Sequence, residues 1–320
     1  MPILPERLHP GDTVALVAPA SPPPDPRAID LSISALEELG FRVKLAPHAR
    51  QRHGFLAGTD RERAGDLMRM FGDRKVKAIF CVRGGYGTGR LLSLLDYGIV
   101  RRNPKIFVGY SDITALHCAF LRRANLLSFH GPMLSSDIIK PDFPAFARES
   151  LLCALMGTST LPGAAGIGCD CPLKVVSILR RGMASGQLIG GNLSLLCALL
   201  GTPFQPSFKG KILFLEDVDE PPYRLDRMLT HLLNAGVLQT VAGVAVGVCE
   251  HCADPKAKTA REYRQTLDDV LKERLLPLKV PVVTGLPFGH TRYNATLPIG
   301  GRVLLDAMRG DLVITGPVVR

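Results

Sequence analysis

The chain has 320 residues, 46% of them hydrophobic and 21% charged. This composition excludes disordered and fibrous classes and leaves room for two globular domains. A net charge of +10 is scattered along the chain, with 6% aromatic residues and no Trp; it favours an acidic small ligand but provides no stacking platform for nucleic acid.

In chain order, the first half alternates apolar runs with amphipathic stretches. Strands are predicted at 13–18, 41–45, 76–82, 105–108 and 126–129. Helices are predicted at 28–39, 60–71 with Asp60 as N-cap, 89–95 and 113–123. Such alternation predicts a doubly wound parallel sheet covered on both faces. A stretch rich in Gly and small residues around 156–172 reads as a linker. Beyond it, strands are predicted at 173–179, 211–215, 241–248, 282–284, 302–305 and 311–315, and helices at 193–200, 224–235 and 259–275. The late strands are too closely spaced for crossover helices. The expected organisation is α/β: an N-terminal domain over 1–156, a linker over 157–172, and a mixed α/β domain with barrel-like strands over 173–320.

The N-terminal segment Met1-Pro2-Ile3-Leu4-Pro5-Glu6-Arg7 has no apolar signal core, and no apolar run reaches membrane-spanning length. A cytoplasmic protein with no membrane partner is expected. The eight Cys read as thiols, several of them in apolar runs, rather than as a disulfide framework.

Ligands in open α/β sheets sit beyond the carboxyl ends of strands. Two loops with that placement stand out. Arg83-Gly84-Gly85-Tyr86-Gly87-Thr88-Gly89 follows the third strand, and its glycines allow close backbone approach and expose N–H groups. It is an anion cradle or a plain turn. Gly109-Tyr110-Ser111-Asp112-Ile113-Thr114 joins the fourth strand to a helix. There Ser111 has the placement of a nucleophile at a sharp strand-to-helix turn, and equally that of a helix N-cap.

A nucleophilic serine needs a base and an orienting acid. Among the eight His, His130 ends the fifth strand and His290 follows a buried strand among turn residues; both have the placement of a base. Leu213-Phe214-Leu215-Glu216-Asp217 ends an apolar strand on two carboxylates, and a buried carboxylate needs a partner. Glu216 or Asp217 paired to a His would satisfy this, as would capping of the next loop. Cys249-Glu250-His251-Cys252 holds three zinc-ligand types but lacks a second ligand pair at suitable spacing, since Cys169-Asp170-Cys171 does not match.

Several segments together resemble the LD-carboxypeptidases (muramoyltetrapeptide carboxypeptidases), a family that also includes microcin C immunity peptidases. They are Gly11-Asp12-Thr13 through Pro19-Ala20-Ser21, Val82-Arg83-Gly84-Gly85-Tyr86-Gly87, Gly109-Tyr110-Ser111-Asp112 and His130-Gly131-Pro132-Met133. Gly190-Gly191-Asn192-Leu193, Gly201-Thr202-Pro203, Leu215-Glu216-Asp217 with Glu220-Pro221, and Gly285-Leu286-Pro287-Phe288-Gly289-His290 continue the series in family order.

The resemblance implies a Ser-His-Glu triad of Ser111 as nucleophile, His290 as base and Glu216 as orienting acid. Glu220 matches a second family carboxylate outside the triad. Backbone N–H groups of Gly85 and Asp112 would form the oxyanion hole. It also implies a site between the two domains, a homodimer, and no metal or organic cofactor. The implied reaction removes terminal D-alanine from murein tetrapeptide, or a related muropeptide, in cell-wall recycling. A carboxypeptidase must recognise a terminal carboxylate, and Arg83 is the expected partner. Ile189 stands where family members often have Trp, so specificity would differ if that ring meets substrate. The alternatives are a microcin C-type immunity peptidase, another amide hydrolase of the family, or a non-catalytic anion-binding protein.

Overall fold

The computed structural model describes residues 1–157, 176–253 and 265–320. Its first strand, Thr13–Val17 (β1), is apolar and buried almost throughout. Ala28–Glu38 (α1) leads to the edge strand Arg42–Leu45 (β2), whose residues alternate between exposed and half-buried. Asp60–Gly72 (α2) is capped by Thr59, not by Asp60 as expected. Thr59 accepts the Glu62 N–H while the Glu62 carboxylate accepts the Thr59 N–H, a reciprocal capping box. Asp60 instead holds Arg63 at 2.5 Å and Arg90 at 2.9 Å.

Val76–Cys81 (β3) is followed by a single 3-10 turn at Thr88–Arg90 where a longer helix was expected. Helix formation is delayed to Tyr97–Arg102 (α3), because Asp96 accepts the N–H groups of Gly98 and Ile99 and so caps it there. Ile106–Gly109 (β4), Thr114–Ala119 (α4), Ser128–His130 (β5) and Ala145–Met156 (α5) complete the first half.

In the second half, Ser177–Arg180 (β6) and Met183–Asn192 (β7) precede Leu193–Leu199 (α6) and Ile212–Glu216 (β8). The ten-residue β7 has no counterpart among the predicted strands, because Gly186, Gly190 and Gly191 interrupt its apolar pattern. Pro222–Asn234 (α7), Gly243–Gly247 (β9), Leu267–Leu275 (α8) and Val282–Leu286 (β10) follow. The chain ends with Leu297–Ile299 (β11), Arg302–Asp306 (β12) and Asp311–Ile314 (β13). The linker expected at 157–172, apart from Gly157, and parts of the strand at 173–179 and the helix at 259–275 lie outside the described residues.

Two mixed sheets result. The first has the order β11-β5-β4-β3-β1-β2, parallel except for β11, which runs antiparallel to β5. Its central strands are apolar on both faces, as strands covered by helices on both sides must be. The second is a curled half-barrel with the order β13-β12-β7-β8-β9-β10-β6. Its middle strands β7 to β10 are parallel, so the carboxyl ends of β8 and β10 open together. The short β11 contains Pro298, which concealed it as a strand, and it carries the second half of the chain onto the first sheet. Helix α4 faces β7, where Thr114 Oγ1 accepts the Asn192 N–H at 3.0 Å. The strand-to-helix turn of the first sheet therefore lies against the second. Among the described residues no helix is long and apolar enough to cross a membrane.

Candidate active site

Strand β4 is fully buried and ends at Gly109. Tyr110 continues extended, and Ser111 then takes φ +63° before the 3-10 turn Ser111–Ile113 runs into α4. A left-handed conformation in a residue with a Cβ costs about 1–2 kcal/mol, and such strain gathers at functional sites. His117 fastens the base of this elbow. Its Nε2–H donates to the Gly109 carbonyl at 2.8 Å, and Nδ1 accepts from Ser128 Oγ at 2.8 Å. The carbonyl can only accept, which fixes the tautomer. Burial pushes the His117 pKa down to about 4, so this ring is a neutral brace.

The loop after β10 brings His290 to Ser111, with Nε2 3.0 Å from Oγ. On its other side Nδ1 lies 2.6 Å from Glu216 Oε2 at the end of β8. Glu216 is 1% exposed, and His290 is its partner. Close approach of the two loops requires Gly289, since a Cβ there would stand 2.7 Å from Glu216 Cβ and 2.8 Å from Oε2. Burial by itself would lower the His290 pKa. The hydrogen bond and charge of Glu216, helped by Asp217 and Asp137, outweigh it and raise the pKa above the ordinary imidazole value.

The structure separates the paired candidates. Asp217 does not meet a histidine. It accepts Asn192 Nδ2 at 3.0 Å, Ser194 N at 3.0 Å and Ser194 Oγ at 2.8 Å, which fixes the start of α6. His130 does not meet Ser111: it is fully buried among Tyr110, Phe214 and Phe288, with burial holding its pKa well below the ordinary value.

The glycine-rich loop closes over the elbow. A Cβ on Gly84 would stand 2.9 Å from Ser111 Cβ and 3.3 Å from Asp112 N, so the backbones touch only because Gly84 has no side chain. Asp112, 2% exposed, accepts the Thr88 N–H at 2.8 Å, and its carbonyl accepts Thr88 Oγ1–H at 2.5 Å. The two loops are thus tied together. Among the described residues, no backbone hydrogen bond outside the regular elements engages the N–H groups of Gly85 and Asp112.

A cavity of about 630 Å³ opens beside His290 and includes Arg83, Tyr110, Asp137, Lys140 and Arg292 in its wall. Among the described residues, the Arg83 guanidinium hydrogen-bonds only to the Pro22 carbonyl, at 3.5 Å. The Tyr110 ring packs edge-on to His290 at 4.9 Å, and its hydroxyl donates to Asp137 at 3.3 Å. Burial raises the Asp137 pKa to about 6. Neither Tyr110 nor Asp137 was singled out from the sequence. Tyr110 adjoins Ser111 in Gly109-Tyr110-Ser111-Asp112, whereas no local pattern marks Asp137. Ile189 lies fully buried in β7 opposite Leu213, away from the cavity wall. Glu220 pairs with Arg224 at 3.3 Å. Among the described residues no group of three His, Cys, Asp or Glu side chains is arranged to hold a metal; Cys169 and Cys171 lie outside them.

The known proteins that this chain resembles point the same way. A profile of the LD-carboxypeptidase N-terminal domain matches residues 14–131, and one of the C-terminal domain matches residues 185–305. The chain is 41% identical over 314 residues to a probable murein peptide carboxypeptidase of Bacillus subtilis (strain 168), covering 98% of this chain and 95% of the relative. A solved structure of the microcin C7 self immunity protein MccF with aspartyl sulfamoyl adenosine matches at TM-score 0.88 and 25% identity, over 100% of both chains. A muramoyltetrapeptide carboxypeptidase from Oxalobacter formigenes matches at TM-score 0.78 and 33% identity, over 94% of this chain and 97% of its own.

Two outcomes follow from the geometry. Ser111→Gly relieves the left-handed strain whereas Ser111→Ala keeps it, so in urea titrations the glycine variant should be the more stable by about 1 kcal/mol; equal midpoints would contradict the strain. A base at His290 must be neutral to take a proton, so the raised pKa predicts an acid limb of kcat/KM above the ordinary 6.5. Glu216→Gln removes the raising carboxylate and leaves burial to lower the pKa. The limb should move to lower pH on a much reduced plateau, and an unmoved limb would detach it from this pair.

Proposed function

We propose that this chain, which belongs to the LD-carboxypeptidase family, is a serine carboxypeptidase that releases terminal D-alanine from murein tetrapeptide or a related muropeptide. The observation that carries the reading is the continuous hydrogen-bonded line from Ser111 through His290 to Glu216. The 41% identity to a murein peptide carboxypeptidase supports the substrate.

In this reading Ser111 Oγ attacks the carbonyl of the L-centre that precedes the D-residue, and His290 Nε2 takes the serine proton. Glu216 accepts the Nδ1–H, holding the tautomer and stabilising the imidazolium. The tetrahedral oxyanion is received by the N–H groups of Gly85 and Asp112. Loss of one such donor in a known protease costs about 2.7–4 kcal/mol. His290 returns the proton to the departing D-alanine amine, and water, activated by the same ring, resolves the acyl-enzyme. Arg83 holds the terminal carboxylate through its guanidinium. The chemistry is complete without a metal or organic cofactor. The reading places the enzyme in the cytoplasm as a homodimer, in two domains over 1–156 and 173–320 with the catalytic line crossing between them.

A second reading, an immunity-type peptidase acting on an aminoacyl-sulfamoyl adenylate, is favoured by the match to MccF over the whole chain.

Mass spectrometry of murein tetrapeptide after incubation with parent and Ser111→Ala proteins tests the main reading. The parent should remove one alanine and the variant none. Arg83→Ala should raise KM for this peptide while leaving a C-terminally amidated analogue unaffected. An intact tetrapeptide with well-folded parent contradicts the assignment, and cleavage of the sulfamoyl adenylate alone selects the second reading. Tight ligand binding that survives Ser111→Ala, without turnover by the parent, would indicate a non-catalytic binding protein.

A further inference from the structure

His290 belongs to a short excursion between β10 and β11, and the excursion is closed on itself. Its outer clasp is the hydrogen bond from Ala295 N to the Pro287 carbonyl at 2.8 Å. The inner clasp is a side chain: Asn294 Oδ1 accepts the Gly289 N–H at 3.0 Å. Asn294 is 1% exposed, so this is a desolvated bond, and its loss would leave the Gly289 N–H without an acceptor.

The bonded residue is the one that sets the catalytic spacing. Gly289 has φ +98° and is pressed against Glu216. Its carbonyl carbon bonds directly to His290 N. The backbone at Gly289 therefore sets how far His290 Nδ1 stands from Glu216 Oε2, and Asn294 anchors that backbone by its N–H. Two further groups mark the same place: Asn294 Nδ2, a donor, and Glu216 Oε1, an acceptor. Both are buried and have no hydrogen-bond partner among the described residues.

We infer that Asn294 is a positioning residue for catalysis, acting through the Gly289 peptide to hold His290 on Glu216. The inference rests on the peptidase reading for its kinetic consequence, but its geometric core concerns only the His290–Glu216 pair. His290 is also faced by Asp217 from the end of β8, Asp137 and Lys140 from the segment after β5, and His130 within β5. Tyr110 and Arg83 face it from the loops of the first sheet, and Glu250 and His251 from the loop after β9. Replacement of Asn294 by neutral Ala or Ser changes none of these groups, so in those variants a change in His290 titration reports on its distance from Glu216.

The test is the titration of the His290 imidazole by NMR in parent, Asn294→Ala and Asn294→Asp proteins, with the resonance assigned by its loss in His290→Gln. In Asn294→Ala the contact with Glu216 loosens, burial dominates, and the pKa falls below that of the parent. Asn294→Asp keeps an oxygen acceptor for the Gly289 N–H and prevents the fall. On murein tetrapeptide, kcat of Asn294→Ala should drop on the order of tenfold, with KM within about twofold of the parent and the acid limb moved to lower pH. Asn294→Asp should recover most of the loss. Asn294→Ser, too short to reach the Gly289 N–H, carries the same test if the alanine variant does not fold. A parent-like titration in the alanine or serine variant overturns the inference, as does an equal fall in Asn294→Asp. The titration needs no substrate, so a parent that leaves the peptide intact counts against the peptidase reading alone.

Discussion

A carboxylate at the end of an apolar strand is expensive to bury without a donor, and the site is organised around that constraint at Glu216. All five residues of β8 are buried, so the strand delivers its last side chain into an interior where His290 Nδ1–H is its hydrogen-bond donor. The bond acts in both directions. It makes burial of the acid tolerable, and it orients a ring that also packs edge-on against Tyr110. The far nitrogen of that ring is then aimed at Ser111. Removing His290 leaves Glu216 buried without this partner, and removing Glu216 leaves His290 held only by Ser111 among the hydrogen bonds of the described residues.

The same line spans both sheets. Ser111 stands beyond β4 of the first sheet, Glu216 ends β8 of the second, and His290 comes from the loop after β10. Their meeting depends on how closely backbones approach. Gly84 lies against Ser111 and Gly289 against Glu216, each at a distance that forbids a Cβ. The contact of Thr114 with Asn192 and the pairing of β11 with β5 hold the sheets in register around them. Distances of 3.0 and 2.6 Å across this junction leave little tolerance, and groups around it such as His117 and Asp217 are themselves buried and hydrogen-bonded.

Much of this was legible in the chain. Continuous apolar runs such as 76–82 and 105–108 are what a covered parallel sheet demands, and they appear as β3 and β4. Ser111, Glu216 and His290 were recognisable because each follows an apolar strand within a motif of a known family. Local residue types alone left Ser111 balanced between nucleophile and helix cap, and left His130 and Asp217 as rivals. Those choices depend on side chains more than 70 residues apart, which no local pattern encodes. β7 escaped notice because its glycines serve close packing rather than alternation, and β11 because three residues around Pro298 do not read as a strand. Asp60 lost its capping role to Thr59 through a side-chain competition that only the placement of Glu62 decides. The supporting groups around the site, Tyr110, Asp137 and Asn294, are visible only once the loops are folded together.

The central claim is that Ser111 and His290 work as one unit rather than as two independent contributors. The most direct measurement is kcat/KM for D-alanine release by the parent, Ser111→Ala, His290→Ala and the double variant. A unit predicts that either single substitution already costs nearly as much as both together. Losses that multiply in the double variant, or a His290→Ala protein that keeps most of the parent rate, would contradict it.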